Sequence, residues 1–448
     1  MKASYYITVL FFLILNLIVN AQNDSIISKK KYISNTQFTM LVDARTSIEF
    51  KSANVQKAEF FIRPELDMPL SKNFRLKMIG RVYTEIFDNL EPGKPEQDAV
   101  SEFSKRALIG DRLEAELREF YFDWKIGKHY LTFGKQQIVW GKSDGLKILD
   151  IVNPTNFRAF LLDDFDNSRI PLWAIKADLK LSKINAQLIW IPDMTYHDFP
   201  PQTGIFFPTA LFSDVPQGVS VINNPLAKPD KKLIKNADYG IRVSAFLNGW
   251  DVTVNYLYQY DNFPVTKTMT NDVNDDITIS PMFKRYHLFG GTFSNAFGNY
   301  TLRGEIGYSK DKYFSSNNSN VSEGIFKSDQ IMGVVGIDYS GISNSTLSFQ
   351  IFEDYIYNNQ NTIGRETSET NASFLIDRRF ANETLTASVI CVQNLNEGDG
   401  FVRPKVTYLV SNNLTASLGA DLFYGNESRP FGQFKSLNRV SLGLQLGI

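Results

Sequence analysis

The chain has 448 residues with 47 basic and 48 acidic side chains, a balance that gives no sign of a nucleic-acid surface or a polybasic membrane anchor. A single cysteine, Cys391, excludes an internal disulfide framework and any cysteine-based metal cluster. Aromatic residues are abundant, with 35 Phe, 20 Tyr and 5 Trp, so the periodicity of large apolar side chains decides the fold class.

The first residues have the pattern of an export signal. Lys2 supplies the positive start, Ile7–Val19 the apolar core, and Val19-Asn20-Ala21 a small-residue cleavage site, which predicts a signal peptide over residues 1–21. The apolar run is short and interrupted by Asn16, which argues against a membrane anchor, and no cysteine follows the cleavage site to carry a lipid. Residues 22–36 read as a periplasmic segment and 37–448 as one barrel domain. Beyond residue 21 no apolar run is long enough to cross a bilayer as a helix.

An entry strand is expected near Phe38–Phe50, then paired runs over Leu113–Ile126 and Tyr130–Trp140 joined by a turn at Gly127-Lys128-His129. In Leu113–Ile126 the apolar face switches near Arg118-Glu119, which predicts a bulge. Further on, Trp173, Ile175, Ala177, Leu179 and Leu181 alternate with Ala174, Lys176, Asp178 and Lys180. Trp250–Tyr260, Tyr300–Tyr308, Leu414–Leu422 and Val440–Ile448 repeat the pattern. Period two means one apolar and one polar face. A soluble sandwich alternates too, but many runs here reach the ~9–11 residues of a tilted membrane strand, longer than the soluble mode of roughly 5–6. Tyr and Trp also gather at strand ends, where interfacial girdles belong.

Tight connections are expected at Leu70–Asn73, Gly127-Lys128, Ser182-Lys183, Asn248-Gly249, Gly298-Asn299, Gly341–Asn344, Ala381-Asn382 and Ser411–Asn413. Longer segments fall between them at 88–111, 141–170, 193–236, 261–282, 311–327, 358–367, 395–400 and 425–435. Short turns alternating with long loops predict an all-β, antiparallel transmembrane barrel of eighteen strands, or sixteen if the first hairpin is peripheral. Both termini would then be periplasmic.

Two long loops stand out. The segment 192–229 holds seven of the 17 prolines and carries Phe199, Phe206, Phe207 and Phe212, which would pack on the barrel rim or form an apolar constriction. The segment 141–170 carries Lys142, Asp144, Lys147, Asp150, Arg158, Asp163, Asp164, Asp166 and Arg169; folded inward, these charges would restrict the pore. Lys176, Asp178, Lys180, Arg242, Arg303 and Glu305 sit at the polar positions of strands and would line a wet lumen.

Motifs for other chemistry are weak. Gly141-Lys-Ser-Asp-Gly145 matches the nucleophile-elbow pattern, but that elbow needs a parallel sheet, a following helix and a placed histidine. Asp163-Asp164-Phe165-Asp166-Asn167 fails the calcium-loop spacing, and ion pairing with Arg158 or Arg169 is the better reading. His129, His197 and His287 are too far apart in sequence to suggest a metal site, and no cofactor is implied.

Gly134-Lys-Gln-Gln-Ile-Val-Trp-Gly-Lys-Ser-Asp-Gly145, Asp150-Ile-Val-Asn-Pro154 and Phe160-Leu-Leu-Asp-Asp-Phe-Asp-Asn-Ser-Arg-Ile-Pro-Leu-Trp173 resemble a family of bacterial outer-membrane barrels of unknown function. That family is similar to the alginate-export porins, and its members are often encoded beside RND-type exporters of lipidic molecules. The resemblance covers residues 112–181; it implies transport of an apolar or lipid-like solute, an exporter in the inner membrane as partner, and no catalytic residues. The many Asn, Lys and Ile also resemble the composition of Bacteroidota proteins. The resulting expectation is a non-enzymatic outer-membrane channel for a small or lipid-like solute, in contact with outer-membrane lipid and gated by loops 141–170 and 193–236. The alternatives are a barrel-embedded hydrolase built on Ser143 and a closed, surface-binding barrel.

Overall fold

The computed structural model describes residues 35–211, 221–230, 233–270, 277–316, 321–359, 362–363 and 365–448. The expected signal peptide at 1–21, most of the segment 22–36, and Phe212 lie outside them. The chain forms β1 (Gln37–Glu49), β2 (Val55–Ser71), β3 (Phe74–Glu85), β4 (Leu113–Ile126), β5 (His129–Gln136), β6 (Leu172–Leu181), β7 (Ile184–Ile191), β8 (Asp238–Leu247) and β9 (Trp250–Tyr260). It continues with β10 (Arg285–Phe297), β11 (Tyr300–Ser315), β12 (Ile325–Tyr339), β13 (Ser345–Ile356), β14 (Ser368–Phe380), β15 (Leu385–Asn394), β16 (Gly400–Ser411), β17 (Leu414–Tyr424) and β18 (Arg439–Gly447). Each strand pairs antiparallel with the next, and β18 returns to β1, with Leu41 opposite Gly447 and Glu49 opposite Arg439. The result is a closed barrel of 18 strands, so the sixteen-strand alternative falls.

The eight expected tight turns all join consecutive strands. At Asn248-Gly249 both residues have positive φ (50° and 90°), the handedness that matches strand twist in a two-residue hairpin. The long connections collect at the other end, which by barrel architecture is the extracellular one.

The bulge lies where the apolar face switches. Gly80 faces Leu117 and Ile79 faces Glu119, so Arg118 is the extra residue of β4.

Several boundaries differ from expectation. The strand expected over Tyr130–Trp140 ends at Gln136, because the Asn153 side chain takes the Ile138 N–H (2.6 Å) and draws the chain off the sheet. The connection 261–282 contains two strands, Val265–Thr270 and Ile277–Met282, and the second also pairs in parallel with Val221–Asn223. β11 and β12 extend into the expected loop 311–327 by pairing as far as Ser315 with Ile325. A strand at Ala107–Ile109 pairs on β4 within the expected loop 88–111. One helical turn, Phe165–Ser168, interrupts the segment 141–170.

The alternation sorts into two faces. On β9, Val254 is 70% exposed while its neighbours Thr253 and Asn255 are buried. Phe60, Val82, Ile175, Leu188, Ile306, Val335, Phe349, Phe374, Leu418 and Leu444 are exposed in the same way, an apolar outer belt suited to lipid. The inner positions bury Leu257, Leu288, Val334 and Phe352 against Ile138, Trp140, Ile148, Leu149 and Val152. Leu149 is fully buried; a Cβ on Gly290 or Gly307 would stand 2.7 or 3.1 Å from its Cδ2, so both glycines make room for it. Burying that one leucine contributes about 1.5–3 kcal/mol.

Candidate functional site

After β5 the chain turns away from the sheet and touches wall positions one after another. The Trp140 indole N–H donates to Gln187 Oε1 on β7 (2.7 Å), and Arg242 on β8 donates to the Val139 carbonyl (3.2 Å). Lys142 Nζ pairs with Asp251 Oδ2 on β9 at 2.6 Å. Glu305 on β11 accepts the N–H groups of Lys142 and Leu149, while Arg303 holds the Lys142 carbonyl and the Asp144 carboxylate. Gln350 on β13 also donates to Asp144 (3.0 Å). Farther along, Arg403 on β16 donates to the Leu161 carbonyl (3.4 Å). Arg118, at the bulge, donates to the carbonyls of Asp166 (2.9 Å) and Arg169 (3.1 Å).

Within the segment, Arg169 pairs with Asp150 (2.7 Å) and Asp166 (2.5 Å), and Lys147 reaches Thr155 Oγ1 (3.2 Å) and Asp150 (3.8 Å). Asp164 is exposed at the start of the helical turn. Lys176 lies 4.0 Å from Asp178, which accepts from Gln187 (2.8 Å), whereas Lys180 lies over the Tyr130 ring near the short-turn end.

Arg158 does not pair with the aspartates at 163–166. Its Nη1 reaches Glu114 (2.8 Å) and Glu91 (3.3 Å) instead, and its guanidinium lies over the Tyr83 ring at 4.7 Å. Arg106 holds the same two glutamates and Asp198 (3.1 Å). Burial opposes charge on Glu91, yet Arg158 and Arg106 together hold its carboxyl down to about 2. Burial pushes Asp198 up to about 6 against Arg106, with Glu91 adding to the rise. His197 accepts the Thr155 N–H at Nδ1 (2.8 Å), and burial beside Lys147 and Lys312 holds its pKa down to about 3, so the ring is neutral.

The loop aromatics are packed. Phe199 stacks on Phe157 at 5.0 Å, and Phe206 is fully buried against Phe434, in a cluster with Phe160, Phe401, Phe423 and Phe431. Phe207 is half-buried. Ser143 Oγ donates to the Leu146 carbonyl (2.6 Å); His129, His197 and His287 bond instead with Lys180, Thr155 and Tyr256. Among the described residues no group of His, Cys, Asp and Glu is arranged to hold a metal.

Sequence reasoning singled out neither Glu91, Arg106, Glu114 and Glu116 nor Asp198. A signal was present for two of them: Glu114, Glu116 and Arg118 recur at period two, three charges in succession on one face of a strand.

The model of a family described as "Protein of unknown function (DUF1302)" matches residues 57–362. No curated protein matches the chain. Among solved structures, Acinetobacter baumannii OccAB2 is similar over 93% of this chain and 98% of its own, with a TM-score of 0.52 and 10% identity. Pseudomonas aeruginosa OccK9 (OpdG) covers the same shares at 0.51 and 10%. P. aeruginosa OccK1 (OpdK) covers 93% and 99% at 0.50 and 10%. At such identities these likenesses speak for the fold, that of an outer-membrane barrel.

Proposed function

We propose that this chain, which belongs to the DUF1302 family of proteins of unknown function, is an outer-membrane channel for a small solute, narrowed by its own segment 137–170 lying in the lumen. One observation carries the reading. That segment bonds to inward-facing positions on strands all round the sheet, from Arg118 on β4 through Gln187, Glu305 and Gln350 to Arg403 on β16. A segment in contact with so many sides of a closed wall has its place inside it. An eighteen-strand barrel freed of such a segment is wide, because diameter grows with strand number. The charged and hydrogen-bonding groups beside the segment favour a small polar solute over the lipid-like one that the family resemblance implied. Deleting Lys147–Asp166 tests this: single-channel conductance in planar bilayers should rise several-fold while the barrel still assembles. Conductance equal to that of the intact chain would place the segment outside the conducting path.

A further inference from the structure

Resting on the channel reading, we propose that the solute path follows the wall formed by β1–β4 and that Arg158, stacked on Tyr83, is its selectivity-setting residue, recognising a carboxylate or phosphate group on the solute. Two cavities lie along this wall. The one nearer the long-loop end is lined by Glu85, Asp88, Asp111, Arg112 and Glu114. The deeper one is lined by Arg45, Arg81, Arg118 and Arg169 with Glu59 and Glu116. Their order in depth follows from the strand register: Tyr83 stands opposite Glu114, and Arg81 opposite Glu116 one inward-facing position further down. That step is about 6.6 Å, two residues of strand rise. Tyr83 and Arg158 line both cavities and so form the partition between them.

Most charges here are spoken for. Arg81 pairs with Glu116 (2.8 Å), Arg45 with Asp43 (2.8 Å), and Arg169 with Asp150. Arg158 differs. Its Nη1 serves Glu114 and Glu91, and its Nε lies 3.4 Å from Asn156 Oδ1, but its Nη2 is buried with no hydrogen-bond partner. The side chain is only 4% exposed, so bulk water does not satisfy that nitrogen. A buried guanidinium donor without an acceptor is costly, and an anionic oxygen is its strongest partner. A solute passing from the outer to the inner cavity must part Arg158 from Tyr83, and that opening brings this donor within its reach. On the opposite wall Leu149, Ile138 and Trp140 pack directly against β7, β9 and β10.

The test uses the full-length barrel in planar bilayers under a KCl gradient, with sodium succinate or inorganic phosphate added on the long-loop side. Arg158→Gln should lower the chloride-to-potassium permeability ratio several-fold, whereas Lys405→Gln, which removes an equal charge from β16 far from both cavities, should leave it unchanged. Arg158→Lys keeps a cation for Glu91 and Glu114 and so guards against failure to fold. It should weaken block by succinate or phosphate several-fold with little change in the permeability ratio. Block by one anion alone identifies the group recognised. An unchanged ratio in Arg158→Gln, or unchanged anion block in Arg158→Lys, overturns this route while leaving the channel reading intact. An intact chain and a Lys147–Asp166 deletion that both fail to conduct overturn the channel reading and the route with it.

Discussion

Arg303 and Glu305, neighbours on the inner face of β11, grip one turn from two directions: the carboxylate takes the N–H groups of Lys142 and Leu149, and the guanidinium takes the Lys142 carbonyl and the Asp144 carboxylate. Donor and acceptor together fix both position and direction of the chain. Glu305→Ala should strip the acceptor from two amides, at a cost of about 1–3 kcal/mol for each left buried and unsatisfied. Glu305→Gln, which keeps one acceptor oxygen, should cost less. Channel recordings check this: the alanine variant should show frequent transitions to a higher conductance, and a trace as quiet as that of the intact chain would mean that other contacts hold the turn.

The seat of Leu149 can be tested by filling it. Gly290→Ala would place a Cβ 2.7 Å from Leu149 Cδ2 and 3.0 Å from Asn255 Oδ1, so the leucine must move. Leu149→Ala alone should cost about 2–5 kcal/mol, the range for emptying a buried leucine site. The double variant should be less damaged than the sum of the singles, since each relieves part of what the other spoils. Denaturant unfolding in detergent measures all three; strict additivity would separate the two positions.

The outer belt has its own test. Val254, 70% exposed on β9, faces lipid, and Val254→Arg should cost about 2–4 kcal/mol if it stands near the bilayer midplane. Unfolding from lipid vesicles reads this directly. A cost near zero would put that face of β9 in water.

Acid should loosen the loop network. His197 is held down to about 3 from the usual 6.5, so between those values the unfolded chain takes a proton that the folded one refuses, and stability falls as the pH drops. Glu91, held down to about 2 from 4.5, adds stability above 4.5 that is likewise lost on further acidification. Asp198, raised to about 6 from 3.8, acts the other way and gains over that interval. The His197 loss and the Asp198 gain nearly cancel between about pH 6 and 4.5, so resistance of the loops to proteolysis should decline chiefly below pH 4.5, where Glu91 adds its loss. His197→Asn keeps an acceptor for the Thr155 N–H and leaves the Asp198 gain unopposed, so in this variant the resistance should rise as the pH falls from about 6 to 4.5. An unchanged profile in that variant would assign the transition elsewhere.

Strand pattern was legible because the lipid and the lumen demand opposite side chains at every second residue, and even the Arg118 bulge could be read from the switch of face. The loops were not. Ile138-Val139-Trp140 reads in sequence as a strand-like extension of β5, yet it leaves the sheet, because the competing bond comes from Asn153, fifteen residues further on. Likewise the charges of 141–170 were visible, and Arg169 does pair with Asp166 as expected, but Lys142 and Asp144 find partners on β9, β11 and β13 and Arg158 finds Glu91 and Glu114; period-two reasoning carries no information on contacts across the barrel. The packing of Phe206 on Phe434 is equally remote, joining loops more than 200 residues apart.

The barrel closes between its first and last strands, and Met40 and Ile448 exchange both of their backbone hydrogen bonds there. No shorter stretch of chain can shut the sheet. Until β18 arrives, the growing sheet carries two open edges, each a template for pairing with a foreign strand. The segment after β5 is caught in the same order of events: it bonds to β4 and β7, made early, and to Arg403 of β16, made late. As a loop between the adjacent strands β5 and β6, it reaches the lumen from the open long-loop end without crossing the wall. Its bonds to the wall are complete only once β16 is in place, late in the order in which the strands are made.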